Sequence, residues 1–384
     1  MNKIPFALPE IGEEEINEVV DSLRSGWVTT GPKTKKFEED FAKYIGVKHA
    51  LAVNSATSGL HLALDAVGIQ RGDKVIVPVN TFTSTAEVVR YFDADPIFCD
   101  IDPDTFNISI AAIEKILSEH PNPSEIKAIM PVHVAGQSCE MDEIAELAKK
   151  YNLKIVEDAA HALPTTYKGK LIGTLSDVTV YSFYATKTLC TAEGGMVVTN
   201  DDEYAQRIKV MRLHGFNRDA WNRYNSDKPA WYYEIIAPGY KYNMADLAAA
   251  MGLHQLAKAD KFHDRRCEIA SKYNEAFKDL DQVQRPFVTR AEDKHSYHLY
   301  ILKVPNRDEF IQKLSDKGVG TSVHWIPLHV QPYWKEKYNF EENMFPVAMK
   351  NFESIMSIPI YTKLTDIEVD YIIKSVKEVY EEII

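Results

Sequence analysis

Net positive charge, cysteine and long apolar runs are all missing or scarce in this chain, and each shortage removes a class of function. Lys and Arg number 44 against 56 Asp and Glu, a formal charge of −12, so no bulk attraction to a phosphate backbone or anionic membrane exists. Neither nucleic acid nor membrane is expected as a partner. The four cysteines, Cys99, Cys139, Cys190 and Cys267, lie 40, 51 and 77 residues apart, which is neither a disulfide framework nor a zinc pattern. Free thiols and no metal site are expected. No stretch reaches the roughly 18 apolar residues of a membrane span, and the opening MNKIPFALPEIGEEE has no apolar signal core; a cytoplasmic protein is expected. G-x-G-x-x-G, G-K-[ST] and H-E-x-x-H are also absent, so dinucleotide, P-loop and zincin chemistry lack their mechanical parts. His254 and His263 follow helical spacing only loosely and read as surface or packing residues rather than ligands.

What remains is ordinary for a large folded protein: 384 residues, 45% hydrophobic and 26% charged, enough for two to three domains at about 150 residues each. Two helical patterns open the chain. One runs from Glu13 to Ser25 with Ile16, Val19, Val20 and Leu23 on one face and Gly26 as its stop. The other starts near Pro32, buries Phe37, Phe41 and Ile45, and stops at Gly46. Short apolar runs then alternate with helix-length segments: HALAV at 49–53, KVIVPV at 74–79, PIFCDI at 96–101, KAIMPV at 127–132 and KIVED at 154–158. Strands apolar on both faces and spaced by helices imply a mainly parallel sheet covered on both sides. VTVYSF at 178–183 and GMVVTN at 195–200 extend it with only a loop between them, which favours an antiparallel strand. After an aromatic, loop-like stretch from Phe216 to Tyr242, one long helix is expected from Met244 to about Leu280. HSYHLYILKV at 295–304, a helix at 308–317, GTSVHWI at 320–326 and a closing helix at 366–384 then suggest a smaller α+β domain. The boundary is placed at residue 255, giving 1–255 and 256–384.

In open α/β sheets ligands bind beyond the carboxyl ends of the strands, and three of those ends are unusual. After HALAV come Asn54-Ser55-Ala56-Thr57-Ser58-Gly59, small residues opening a helix. Such a start can cup a phosphate, although Ser and Thr also cap ordinary helices. KIVED delivers Asp158 to the crevice, where a buried carboxylate needs a cation, a protonated pyridine being one; an Asp there can equally cap the next helix. Ser182-Phe183-Tyr184-Ala185-Thr186-Lys187 leads to Gly194-Gly195. A lysine in that crevice can have its amine pKa lowered, as Schiff-base chemistry needs, although most lysines are simply solvated.

Phosphate cup, strand-end Asp, strand-end Lys and Gly pair, in that order, resemble the DegT/StrS-type sugar aminotransferases, pyridoxal-phosphate enzymes of the aspartate-aminotransferase fold (fold type I). The resemblance runs through SGWVTTGPK at 25–33, NSATSGLHLAL at 54–64, PVNTFTSTAE at 78–87, PVHVAGQ at 131–137, EDAAHA at 157–162, SFYATKTLCTAEGGM at 182–196 and PGYKYNMADLAAA at 238–250. It implies an α/β fold with a large, seven-stranded, mainly parallel sheet domain and a smaller C-terminal α+β domain. It makes Lys187 the Schiff-base lysine and Asp158 the partner of the pyridine nitrogen. Phe82 would stack on the cofactor ring, Ala56, Thr57 and Ser182 would hold its phosphate, and His161 would reach its phenolic oxygen. Asn243 of a second subunit, or else Lys241, would close the phosphate site, so a homodimer with shared sites is implied. Trp221, Trp231, Tyr232 and Tyr233 would make an aromatic patch suited to such an interface.

The resemblance further implies a substrate-facing set of Thr29, Lys33, Tyr184, Arg212, His214 and His329; a nucleotide diphosphate needs cations, and Lys33, Lys35, Arg212 and Arg218 are candidate donors, each of which can equally be a solvated surface charge. Tyr184 replaces a frequent His, and Ala192 stands where the family usually has Gly. Both departures bear on substrate preference. L-glutamate, leaving as 2-oxoglutarate, is the expected amino donor, with the cofactor cycling through pyridoxamine phosphate. The acceptor would be a nucleotide-linked keto sugar. The likeness is strongest to members that aminate carbon 4, the enzyme making UDP-4-amino-4-deoxy-L-arabinose among them, so a UDP-linked 4-keto sugar leads. Amino-sugar assembly for lipopolysaccharide or another surface glycan would follow. The alternatives are a non-catalytic sensor on the same fold, and a sugar dehydratase or epimerase; Lys187 argues against the dehydratase subgroup, which carries His there.

Overall fold

The two N-terminal helices end where their glycines demand. Gly26 and Gly46 sit at φ 76° and 85°, left-handed conformations that glycine adopts without a Cβ penalty. The computed structural model describes residues 3–217 and 232–384; Arg218, Trp221 and Trp231, named above, lie outside them.

Helices α1 (Glu13–Ser25) and α2 (Pro32–Ile45) precede β1 (His49–Val53), α3 (Ala56–Ala66), β2 (Lys74–Pro78), α4 (Ser84–Arg90) and β3 (Asp95–Cys99). The alternation continues with α5 (Ile110–Glu119), β4 (Ile126–Ile129), α6 (Met141–Tyr151) and β5 (Lys154–Asp158). A short hairpin, β6 (Thr166–Tyr167) and β7 (Lys170–Leu171), leads to β8 (Val178–Ser182), β9 (Gly195–Thr199) and α7 (Asp202–Met211). Beyond lie α8 (Asp246–Ala257), α9 (Ala259–Ala276), β10 (Tyr300–Lys303), α10 (Arg307–Asp316), α11 (Pro332–Tyr338), α12 (Pro346–Ser354), β11 (Ile355–Ile358) and α13 (Asp366–Ile383).

The seven-stranded sheet has the order β1-β9-β8-β5-β4-β2-β3. Every pairing from β8 to β3 is parallel, and β9 runs antiparallel to both neighbours, as its short connection requires. The carboxyl ends of β1, β2, β5 and β8 and the start of β9 therefore share one edge. Two apolar clusters pack the faces of this sheet, one around Leu60, Val77, Val156 and Val180 and the other around Phe37, Phe41, Ile155 and Tyr181. A third gathers Ile269, Tyr273, Tyr300, Phe310, Met356 and Val376 with Ile4 from the N-terminal arm. Residues beyond 255 are not confined to that third cluster, because Leu299, Leu328 and Trp334 join the first.

Several expectations need correction. The apolar stripe of α1 does not enter the chain's own core: Ile16 and Leu23 are 46% and 57% exposed while Glu15 and Ser22 are buried. The cause is the ion pair of Glu15 with Lys258 at 2.8 Å and its bond from Gln255 Nε2 at 2.9 Å, which turn the polar face inward. The single helix expected from Met244 to Leu280 is two, broken at Lys258. GTSVHWI forms no strand beyond one bridge from Ser322 to Ser357. Helix α7, hairpin β6–β7 and the run α11, α12, β11 are additions to the elements expected from the sequence.

Candidate active site

Four strand ends build a cavity of about 510 Å³, within the range typical of small-molecule sites. A more open groove of about 930 Å³ beside Asn274 and Arg285 holds none of the strand-end residues. After β1, Ser55 is extended and caps α3 by accepting the Ser58 amide at 3.1 Å. The remaining first-turn amides, those of Ala56 and Thr57 among them, have no intrahelical acceptor, and both residues line the cavity. Two glycines bring this turn against the sheet. A Cβ on Gly59 would stand 2.6 Å from Val180 Cγ1, and one on Gly195 would stand 2.9 Å from the Ala56 nitrogen. Phe82, after β2, lines the cavity with 57% of its surface exposed, an uncommitted aromatic face.

Asp158 closes β5 at 4% exposure. Its Oδ2 accepts from Thr85 Oγ1 at 2.9 Å and its Oδ1 from the Ala160 amide at 3.1 Å. Burial raises its pKa above the ordinary carboxylate value, against the pull of these donors and of Lys187. A cation placed opposite it would restore the ionised form.

Lys187 sits on the loop joining β8 to β9. That loop is closed by paired backbone bonds, Phe183 N to Gly194 O and Thr191 N to Phe183 O, both 2.9 Å, so Ser182, Tyr184 and Lys187 are carried into the same cavity. Burial lowers the Lys187 amine to about 8, with Asp158 opposing the shift. A tenth or so of the amine is then neutral near pH 7, far more than for a solvated lysine.

His161 forms the next wall. Its Nδ1 accepts the Ala135 amide at 3.2 Å, and burial holds the ring well below its usual pKa, so the neutral ring carries its proton on Nε2. Trp325 stacks on it at 5.3 Å and 22°, and His298 packs at 4.2 Å. His298, His324 and Trp325 all line the cavity. Sequence reasoning missed His298 as a site residue, because it lies inside the run HSYHLYILKV, and took His324 and Trp325 as part of the run GTSVHWI.

The remaining named residues lie elsewhere in the chain. Lys33 is held by Glu18 and Asp21, each at 2.8 Å, and Lys35 by Glu39 at 3.7 Å. Arg212, 7% exposed, is bound to Glu38 at 2.5 Å and to the Ala52 carbonyl at 2.9 Å. The expectation of diphosphate donors therefore meets three cations already paired within the chain. Thr29 and His214 are exposed outside the cavity. His329 is fully buried against Phe345 and bonded to the Glu342 carbonyl at 3.1 Å, so it does not reach the cavity of this chain. Asn243 bridges to Val53 and donates to Thr30 Oγ1 at 2.5 Å, leaving a buried Oδ1 without a partner; Lys241 is exposed. Among the described residues no group of three His, Cys, Asp or Glu is arranged to hold a metal ion.

A buried amine of lowered pKa, a carboxylate held apart from it, an aromatic face and a helix start set close to glycine fit pyridoxal phosphate, and fold and site together define a pyridoxal-phosphate-dependent aminotransferase. The chain belongs to the DegT/DnrJ/EryC1/StrS aminotransferase family, whose model matches residues 9–377. It is 46% identical to the spore coat polysaccharide biosynthesis protein SpsC of Bacillus subtilis over 98% of this chain and 97% of that protein. Among solved structures, it is similar to a putative sugar aminotransferase, Spr1654 of Streptococcus pneumoniae, in its PMP form: TM-score 0.92, 35% identity, 99% of this chain and 100% of that one. Helicobacter pylori PseC, an aminotransferase involved in the biosynthesis of pseudoaminic acid, superimposes with TM-score 0.89 at 29% identity, over 99% and 100% of the two chains. The protein is thus an enzyme of the sugar aminotransferase class, with fold type I architecture and a cofactor that alternates between pyridoxal and pyridoxamine phosphate.

Proposed function

We propose that the enzyme takes the amino group of L-glutamate and delivers it to carbon 4 of a nucleotide-linked keto sugar, with UDP as the favoured nucleotide. The observation that carries the reading is the meeting of Lys187 and Asp158 in one cavity, together with the family membership. Pyridoxal phosphate, when bound, supplies a ring that draws electrons from the carbon losing its proton. Lys187 would anchor it and, once released, would carry the proton between the bound substrate's carbon and the cofactor's carbon. Asp158 keeps the ring nitrogen protonated, and Thr85 and Ala160 orient that carboxylate. Ala56, Thr57 and Ser182 bind the phosphate, Phe82 covers the ring face, and His161 donates from Nε2 to the phenolic oxygen. Tyr184, 47% exposed at the cavity, faces the acceptor.

A homodimer belongs to the same reading. It is supported by the outward apolar stripe of α1, continued by Trp27 and Val28 at 37% and 44% exposure. In such a dimer Asn243 reaches the neighbouring phosphate site, and Thr29 and His214, exposed here, are available to the partner's substrate. Residues 1–255 would form the cofactor-binding domain and 256–384 the small domain of a cytoplasmic enzyme of glycan biosynthesis. The test is to load the protein with pyridoxamine phosphate and offer UDP-, dTDP- and GDP-linked 3-keto and 4-keto sugars. Return of visible absorbance with UDP-linked 4-keto sugars is expected. A response confined to 3-keto sugars overturns the regiochemistry, and silence across the panel overturns the acceptor class.

A further inference from the structure

One side chain on the cavity wall has nothing to bind. His298 is 6% exposed, its Nδ1 is buried without a partner, and no hydrogen bond reaches either ring nitrogen among the described residues. Its neighbours differ. His161 Nδ1 is taken by the Ala135 amide at 3.2 Å, and His324 Nδ1 by Ser357 Oγ at 2.9 Å. Nδ1 is sealed from the cavity, whereas Nε2, equally without a hydrogen bond, is not among the buried atoms and is the ring nitrogen that a cavity ligand can reach.

Directly behind His298 lies a buried charge with no carboxylate beside it among the described residues. Arg266 is 4% exposed, and its Nη1 donates to the carbonyls of Tyr297, His298 and Ile360 at 3.0, 3.4 and 2.7 Å. No carboxylate pairs with it among the described residues, and its Nε is also without a partner. A buried guanidinium bound only to carbonyls projects positive potential through the wall it supports. His298 and Ile360 both belong to that wall. The carboxylates lining the cavity are Asp158, committed to Thr85 and Ala160, and Glu193, on the opposite Lys187 loop.

We infer that His298, backed by Arg266, is the seat for a carboxylate of the amino donor. The inference rests on the transaminase reading and deepens it. A neutral sugar hydroxyl would satisfy the ring but not the charge behind it; an anion answers both. Lys187 and Asp158 are engaged by the cofactor, which leaves this wall as the place for the donor's negative end.

Calorimetric titration of the holoenzyme with glutarate tests this, since glutarate carries both carboxylates of the donor but no amino group. Wild type should bind glutarate and not the uncharged glutaramide. His298→Leu should weaken glutarate about tenfold or more, His298→Asn should recover part of the loss, and cofactor content and visible spectrum should be unchanged in both. Should the leucine variant fail to fold by circular dichroism, a crystal structure of wild-type holoenzyme with glutarate decides, with a carboxylate within hydrogen-bond reach of the His298 ring expected. Wild-type affinity in a folded His298→Leu protein, no glutarate binding to wild type, a shifted resting spectrum in the variants, or a carboxylate seated elsewhere would each overturn the proposal. Failure of the wider reading looks different: a colourless protein with no lysine trapped by borohydride.

Discussion

Ser182 and Gly195 stand opposite each other across the antiparallel pair β8–β9, so the chain leaves and re-enters the sheet at one point. Everything between them is a loop pinned at its neck. That geometry makes Lys187 a fixture of the cavity rather than a mobile surface amine, and it explains why Gly195 tolerates no Cβ: the start of α3 lies directly against it.

Borohydride reduction of the purified, yellow protein should fix the cofactor to Lys187, and Lys187→Ala should lose the adduct. Peptide mapping that finds the label on another lysine would disprove the assignment.

The Lys187 amine also sets a pH dependence in the cofactor-free protein. Its ordinary value of 10.5 falls to about 8 in the folded chain through burial. Between those values the unfolded chain binds more protons than the folded one, so stability rises with pH across the window, and below 8 the full cost of the buried charge is present. Lys187→Met should therefore melt higher than wild type at pH 7, with the difference shrinking toward pH 10.5. A constant or growing difference in thermal scans would contradict the sign.

Asp158→Asn should keep the fold and some cofactor while turnover falls about a hundredfold or more, because an amide cannot hold a protonated ring nitrogen and each pKa unit is worth about 1.4 kcal/mol. Near-normal steady-state rates would remove Asp158 from the mechanism.

If sites are shared between subunits, neither Lys187→Ala nor Asn243→Ala protein alone has an intact one. Mixing the two should restore part of the activity by subunit exchange. Full activity in a monomer on dilution would refute the arrangement.

Gly59→Ala should destabilise the protein by about 1–3 kcal/mol, since the added methyl meets Val180 at 2.6 Å and Val197 at 3.1 Å in a packed core. Urea denaturation reads the loss directly, and an unchanged midpoint would show that α3 can lift from the sheet.

Much of this was readable along the chain. Strand ends are local events: an apolar run stops and the next residues must face the crevice, so the arrival of Asp158, Lys187 and the Ser55–Thr57 turn at that edge follows from periodicity and chain order, while their roles came only with the family resemblance; the antiparallel β9 follows from the shortness of its connection. Side chains brought in from far away are a different matter. His298 and Trp325 reach the cavity only because the C-terminal elements pack Leu299 and Leu328 into the sheet's own core, a choice made by surface complementarity that no local pattern encodes. The same holds for charges. Lys33 and Arg212 look like free cations in the sequence, but Glu18, Asp21 and Glu38 are folded against them, and the apolar stripe of α1 points outward because Glu15 finds Lys258 within. Period and order determined where chemistry could emerge; long-range packing decided which groups are left unpaired to perform it.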